Sequence, residues 1–403
     1  MSNGVYCSLP FNIDSSTFTS MEFPIIIKTY KGLEQVLANE LYALGAQDVV
    51  VLNRAVQCKG DKYLLYACNM YLRTALKVMI PIVEGRARTE QELYRLIKNY
   101  DWAEVMGVDD TFAITQAVSS QYFPHSNYAA LKVKDAIADH FRERFDERPS
   151  VDRDAPDYQL HLHIGSDQVQ VSLDSSGDSL HIRGYKTGTH AAPMTEVLAA
   201  GLIMLTGWDG NSTLYDPMCG SGTLPIEAAL IATQTAPGLI RKHFAFQRWQ
   251  SYDAALFRQI MIDAAAKQKI RKVHVLASDI EGRNINAAIA HAQTAIPELQ
   301  MTFFKRDFQL ADPPPEKGIL IMNPPYGERI EKPDIIAFYQ MIGNVLKNKY
   351  AGWTAWIFTG NEEAAKYIGL KPSAKIKMKN GPLDALFLKF EIREGKFWKE
   401  KAE

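Results

Sequence analysis

Two segments decide the fold: TLYDPMCGSGTLPIE, residues 213–227, and ILIMNPPY, residues 319–326. In the first, Thr213–Tyr215 reads as a short strand that ends at Asp216. A glycine turn follows at Gly220, Ser221 and Gly222. Pro225 then lies early in an Ala/Leu-rich helix running to about Ala232, where its missing N–H does little harm. Strand, glycine turn and helix form the nucleotide-binding opening of a doubly wound α/β domain. The turn is not GxGxxG, because Pro225 takes the third glycine position, and no Gly-Lys-Ser/Thr follows to make a P-loop. In the second segment the apolar run reads as a buried strand. Pro324 and Pro325 stop the ladder, since neither carries an N–H. Asn323, next to a proline, is pushed out of helical geometry. The strand tip therefore presents one amide, one rigid carbonyl and one aromatic ring, a set suited to a flat, amine-bearing group. Asn323 Oδ1 and the Pro324 carbonyl can each accept from an –NH2, and Tyr326 can stack on the ring.

Acids extend the pattern. A carboxylate at Asp216 would repel a pyrophosphate but suits a ligand bearing an ammonium or sulfonium. S-adenosylmethionine carries both, and its carboxylate suits the free N–H groups of a helix N-terminus. Val273–Asp279 (VHVLASD) is an apolar strand with an acid at its C-terminal end, the place where such sheets hold a ribose diol. Asp279 lies 63 residues beyond Asp216, against roughly 20 for an uninterrupted unit, so an insertion at about 235–270 separates the two strands. Met301–Asp307 (MTFFKRD) supplies a third strand, where Asp307 can accept from an adenine amine with Phe308 beside the ring.

The series Asp216–Thr223 (DPMCGSGT), Asp279, Asp307 and Asn323–Tyr326 resembles the motifs of class I S-adenosylmethionine-dependent methyltransferases that methylate amines. With Gly327, Glu328, Arg329 and Ile330 completing NPPYGERI, it resembles the THUMP-domain RNA methyltransferases, in particular the branch that methylates guanine N2 in 23S ribosomal RNA. The resemblance covers residues 22–395. It implies S-adenosylmethionine as cofactor, held by Asp216, Pro217, Met218, Cys219, Gly220, Ser221, Gly222, Thr223, Asp279, Ile280, Asp307, Phe308 and Asn323. It also implies that the segment around Thr189–Pro193 closes over the cofactor's methionine end, bringing in Thr189 and Pro193. Asn323, Pro324, Pro325 and Tyr326 are the implied catalytic set. Cys219 reads as a small residue packing near the cofactor, since it lies in the glycine turn and not beside NPPY.

The 403 residues carry 45 Lys+Arg against 46 Asp+Glu, so RNA binding must come from local patches and not from bulk charge. No apolar stretch is long enough to span a bilayer, and the first residues, without a basic region followed by an apolar core, do not read as a secretory signal. The scattered cysteines Cys7, Cys58, Cys68 and Cys219 read as reduced thiols of a cytoplasmic protein, and no His/Cys spacing fits a metal site.

Upstream, the order of strands and helices from Phe23 to Val83 is the βαββαβ of a ferredoxin-like unit. Thr89 and Glu92 are spaced as a capping box. Gln159–Ile164 and Gln168–Leu173 form a hairpin around Gly165-Ser166-Asp167. This second block resembles a THUMP domain, an RNA-binding module. The expected organisation is therefore a tail at 1–21, a ferredoxin-like domain at 22–86, THUMP at 87–184 and a linker at 185–194. A Rossmann-like seven-stranded methyltransferase domain at 195–395 and a tail at 396–403 complete it, with the sheet parallel except for one reversed edge strand. Lys366–Lys379 holds five lysines and no acid, and Lys375, Lys377 and Arg329 are the expected contacts to RNA. The expected partner is large-subunit ribosomal RNA or its precursor. The amine-methylating tetrapeptide also fits a DNA adenine-N6 methyltransferase or a protein glutamine methyltransferase.

Overall fold

The computed structural model describes residues 22–186, 194–269, 272–299, 301–326 and 332–393. They group into two compact units. The first holds the described residues up to Thr29, Leu37–Leu180 and Arg241–Asp263; the second holds Tyr30–Val36, His181–Ile240 and the described residues from Ala264 onward.

In chain order the first part of the molecule runs β1 (Phe23–Lys28), α1 (Glu34–Ala43), β2 (Gln47–Leu52), β3 (Ala55–Gly60), α2 (Lys62–Tyr71), β4 (Lys77–Arg86) and α3 (Glu90–Lys98). It continues with β5 (Thr111–Ser119), α4 (Ser126–Phe145), β6 (Ser150–Val151), β7 (Tyr158–Gly165) and β8 (Gln168–Asp174). The strands build one continuous eight-stranded sheet in the order β2-β3-β1-β4-β8-β7-β5-β6. The strands expected of a ferredoxin-like unit and those of the block after it are thus fused through the antiparallel β4–β8 pair, Met79 opposite Asp174 through Arg86 opposite Gln168. Local chemistry sets the helix starts. Asp61 Oδ1 accepts from the Leu64 N–H at 2.9 Å, and Thr89 Oγ1 accepts from the Glu92 N–H at 3.2 Å. Glu92 reaches back to the Arg88 N–H at 2.7 Å, one residue beyond the usual partner in a capping box.

The insertion is not a surface loop of the second unit. Its residues Arg241–Asp263 belong to the first unit, packed on α2. The ring of Tyr66 stacks on Phe246 with centroids 4.3 Å apart, and its hydroxyl accepts from the Asp253 N–H at 3.1 Å. Lys62 Nζ donates to the Ser251 carbonyl at 2.8 Å, and the Phe246 N–H donates to the Ser175 carbonyl at 3.1 Å.

The second part runs α5 (Glu196–Thr206), β9 (Thr213–Asp216), α6 (Thr223–Ala232), α7 (Ala254–Ala266), β10 (Val275–Asp279), α8 (Gly282–Ala295) and β11 (Thr302–Lys305). It ends with β12 (Gly318–Met322), α9 (Lys332–Lys349), β13 (Thr354–Thr359), α10 (Glu362–Ala365), β14 (Ala374–Asn380) and β15 (Leu383–Glu391). The seven-stranded sheet has the order β11-β10-β9-β12-β13-β15-β14. One expectation needs correction. The reversed strand is β15, antiparallel to both β13 and β14, and it lies second from the edge; β14 takes the edge. The 383–391 run is mostly buried, including Phe387 and Phe390, whereas β14 carries exposed lysines. Burial therefore sends the apolar partner of the hairpin inward, and the charged strand blunts the edge.

Candidate active site

All the described site residues lie in the second unit, at the C-terminal ends of its parallel strands. Asp216 closes β9 and pairs in register with Ala277 of β10, while Tyr215 pairs with Leu320 of β12. Asp279 closes β10, Asp307 lies just past β11, and Asn323 follows β12. From β9 the chain order runs outward to β10 and β11 on one side and to β12 on the other. This is the switch point at which open α/β sheets bind ligands.

The glycine turn is held by backbone N–H groups meeting β10. Gly220 and Gly222 have φ of 53° and 88°, a region side chains other than glycine rarely adopt. At Gly222 a Cβ would also lie 2.8 Å from that of Ala288, so α6 and α8 approach closely there. The Cys219 N–H donates to the Ser278 carbonyl at 3.0 Å, and the Gly220 N–H donates to Asp279 Oδ2 at 2.9 Å. His291 Nδ1 lies 3.0 Å from the Ser221 carbonyl. Cys219 is buried against Ala277 and Ile285, and burial holds its thiol far above the ordinary range, which disfavours the thiolate a nucleophile needs.

The two acids differ in setting. Asp216 is 1% exposed, and its Oδ1 accepts from the Met218 N–H at 3.0 Å. Burial, with the Asp279 charge adding, pushes its carboxyl up to about 8. Asp279 accepts at Oδ1 from the Glu281 N–H at 2.9 Å and Asn284 Nδ2 at 3.0 Å, besides Gly220 at Oδ2. Ile280, next to it, is 59% exposed, a large apolar side chain left in the open beside the acid. Asp307 is half-buried and accepts from the Gln309 N–H at 2.8 Å. Phe308 turns the other way, into the core, with its ring centroid 5.7 Å from that of Tyr350.

At the end of β12, Asn323 is half-buried, Pro324 buried and Pro325 exposed. The Tyr326 hydroxyl donates to Asn323 Oδ1 at 2.6 Å. Its ring lies against Gly360, where a Cβ would come within 2.9 Å of Cδ2. The Tyr326 carbonyl accepts from Asn361 Nδ2 at 2.9 Å, and the Pro325 carbonyl accepts from the Tyr339 hydroxyl at 3.4 Å. Asn284 and His291 on α8, Tyr339 on α9 and Asn361 at the start of α10 escape the sequence reading because they reach the turns from elements outside them. For Asn361 a signal existed: Asn-Glu-Glu after a buried strand is an N-cap pattern.

Of the expected RNA contacts, Lys375 pairs with Glu362 at 2.7 Å, while Lys377 is exposed. Thr189, Pro193 and Arg329 lie outside the described residues. Among the described residues no helix is long and apolar enough to cross a membrane.

Three family models match along the chain: an RlmL ferredoxin-like domain at residues 24–79, a THUMP domain at 87–174, and an RMKL-like methyltransferase domain at 183–389. A Synechocystis protein, "Putative RNA methyltransferase slr0064", is 38% identical over 381 residues, 94% of this chain and 99% of that protein. The crystal structure of "SMU.472, a putative methyltransferase complexed with SAH" is 28% identical, with a TM-score of 0.82 over 93% of this chain and 99% of that one. A structure named as a "predicted N6-adenine-specific DNA methylase", from Listeria monocytogenes, is 26% identical. Its TM-score is 0.83 over 95% of this chain and 100% of that one.

Proposed function

The chain belongs to the family of RMKL-like methyltransferases with ferredoxin-like and THUMP domains, and from that premise we propose that it methylates the exocyclic amine of a nucleobase in RNA, specifically N2 of a guanine in 23S ribosomal RNA. The observation that carries the chemistry is the meeting, at one switch point, of the acid-flanked glycine turn after β9 and the Asn-Pro-Pro-Tyr turn after β12. The methyltransferase relative solved with SAH supports S-adenosylmethionine as cofactor.

The residues present fit that cofactor. A Cβ at Gly220 would meet nothing within 4 Å, so the turn leaves open space beside Gly220. The Asp279 carboxylate has roughly four lone-pair sites and spends three, leaving one for a ribose hydroxyl. Asp307 would take the adenine amine, with Ile280 against the ring. The turn from Pro217 to Thr223 would hold the methionine end, and Asp216 lies beneath it as a buried acid that a nearby cation would ionise. S-adenosylmethionine, when bound, supplies an activated methyl group.

The protein's task is then positioning. The lone pair of an aromatic amine is delocalised into its ring. Asn323 Oδ1 and the Pro324 carbonyl accept its two N–H bonds, draw the nitrogen toward tetrahedral geometry and aim the lone pair at the methyl. No strong base is needed before transfer, and the proton leaves afterwards to water.

RNA as substrate is supported by the THUMP match and by the name of the Synechocystis relative. We assign RNA capture to residues 22–184 and chemistry to 195–395, with Lys377, Lys375 and Arg329 touching backbone phosphates. Guanine N2 rests on the resemblance of DPMCGSGT and NPPYGERI to that branch. Among the described residues the three cysteines are free buried thiols, which fits a cytoplasmic setting. The name of the Listeria relative favours a second reading, adenine N6 in DNA. Tritium transfer from labelled S-adenosylmethionine to RNA from a strain lacking the gene, followed by nucleoside analysis, decides. Label in N2-methylguanosine of large-subunit RNA is expected. Label in N6-methyladenosine, or only in duplex DNA, would overturn the base or the substrate.

A further inference from the structure

Resting on the amine-methylating reading above, we propose that Tyr326 is a positioning residue that acts through its hydroxyl on Asn323, and that Asn361 is the residue that holds it there. An asparagine amide can present either end, and only the Oδ1 end serves a substrate –NH2. In this structure Tyr326 Oη donates to Asn323 Oδ1 at 2.6 Å. Asn380 Nδ2 approaches the same Oη at 3.5 Å as a donor, which directs the hydroxyl proton toward Asn323. Turning the Asn323 amide over would set its –NH2 against an oxygen that already faces one donor. The chain Asn380 N–H to Tyr326 O–H to Asn323 Oδ1 runs in one direction in this structure and favours the amide orientation in which Oδ1 is the end turned to the tyrosine and the substrate. Oδ1 has two lone pairs, so one stays available for the amine.

The tyrosine is itself framed. Gly360 gives its ring a bed with no room for a Cβ. Asn361 grips its carbonyl at 2.9 Å and uses its Oδ1 to cap α10 at the Ala364 N–H, 2.8 Å away. Tyr339, bonded to Thr359 Oγ1 at 2.6 Å, reaches the Pro325 carbonyl. Strand β13 and the start of α10 therefore hold the NPPY turn from its carbonyl side.

The test uses the full-length protein, with steady-state methyl transfer to RNA from the gene-deleted strain and direct titration of the cofactor. Tyr326→Phe keeps the ring and loses the hydroxyl. Asn361→Asp keeps the oxygen that caps α10 and replaces the donor to the Tyr326 carbonyl. Each is expected to lower kcat about three- to tenfold, the worth of one hydrogen bond, with the KM for RNA and the cofactor Kd unchanged. Tyr326→Phe at wild-type kcat, with Tyr326→Ala inactive, would mean that the ring alone matters and would overturn the proposal. If Asn361→Asp lowers the melting temperature, Tyr326→Phe decides by itself. Asn323→Ala separates the levels. If it is inactive while Tyr326→Phe is normal, only this inference falls; if it is fully active, the amine-methylating reading falls and takes the inference with it.

Discussion

The turns after β9 and β12 sit on adjacent strands and are built by opposite means. The glycine turn after β9 is held by carboxylates and backbone: Asp216 and Asp279 accept from Met218, Gly220 and Glu281 N–H groups, and glycines fill positions that other residues rarely adopt. The NPPY turn after β12 is held by neutral side chains, the hydroxyls of Tyr326 and Tyr339 and the amide of Asn361. The first is poised to meet charge. The second is poised to aim a neutral amine, and the described side chains that hold it are hydroxyls and an amide. Burial holds the Tyr339 hydroxyl up at about 12.

The largest expected effect breaks the second turn. Asn323→Ala should cut turnover by about a hundredfold or more, since misplacing a reacting group by an ångström costs that much, while cofactor affinity stays near wild type. Turnover and calorimetric titration on the same preparation check it. Asp279→Ala should do the reverse, weakening the cofactor on the order of ten- to a hundredfold, as expected for lost charge-assisted hydrogen bonds, and leaving kcat at saturation closer to wild type. If both variants lose the same quantity, the division of labour between the turns is wrong.

A smaller effect sharpens the contrast in pH. Asp216 holds its proton up to about 8, well above its value of 3.8 in the unfolded chain. A cationic cofactor binds the ionised form better, so its affinity should rise with pH from 6 toward 8 and then level. Folding has the opposite sign. This carboxyl's contribution is full below pH 4 and is lost as pH rises through 8, by at most about 1.4 kcal/mol per unit. The cofactor-free protein should therefore melt lower at pH 8 than at pH 6, and Asp216→Asn should flatten both trends. A cofactor affinity independent of pH in the wild type would remove Asp216 from the site.

The smallest effect lies at the rim. Replacing Lys375 and Lys377 by Gln should weaken RNA binding uniformly across sequences and reduce its salt dependence by about one to two counterions. Lys377 should carry most of it, because Lys375 is already paired with Glu362. Unchanged affinity and salt slope would remove this edge from the RNA path.

Much of this was open to reading along the chain. The strands at Thr213–Asp216, Val275–Asp279 and Gly318–Met322, the helix capped by Thr89 and the hairpin at 158–174 follow from apolar runs, turn residues and caps, all of which act within a few positions. The reversed strand was displaced by one place, because order within a hairpin depends on which strand buries more, and that is decided by neighbours far away in sequence. The destination of residues 241–263 was likewise hidden. Tyr66 and Phe246 are 180 positions apart, and nothing local to either announces that their rings stack.

The sequence by itself therefore determined the chemistry on offer: acids and glycines at one strand tip, an amide and a proline carbonyl at another, in an α/β frame that brings strand ends together. Only the tertiary structure decided how those groups are held. The raised carboxyl of Asp216, the grip of Asn361 on Tyr326 and the hydroxyl on Asn323 arise from burial and from contacts between distant elements. Those contacts act through space at hydrogen-bond range, and no periodicity in the chain encodes them.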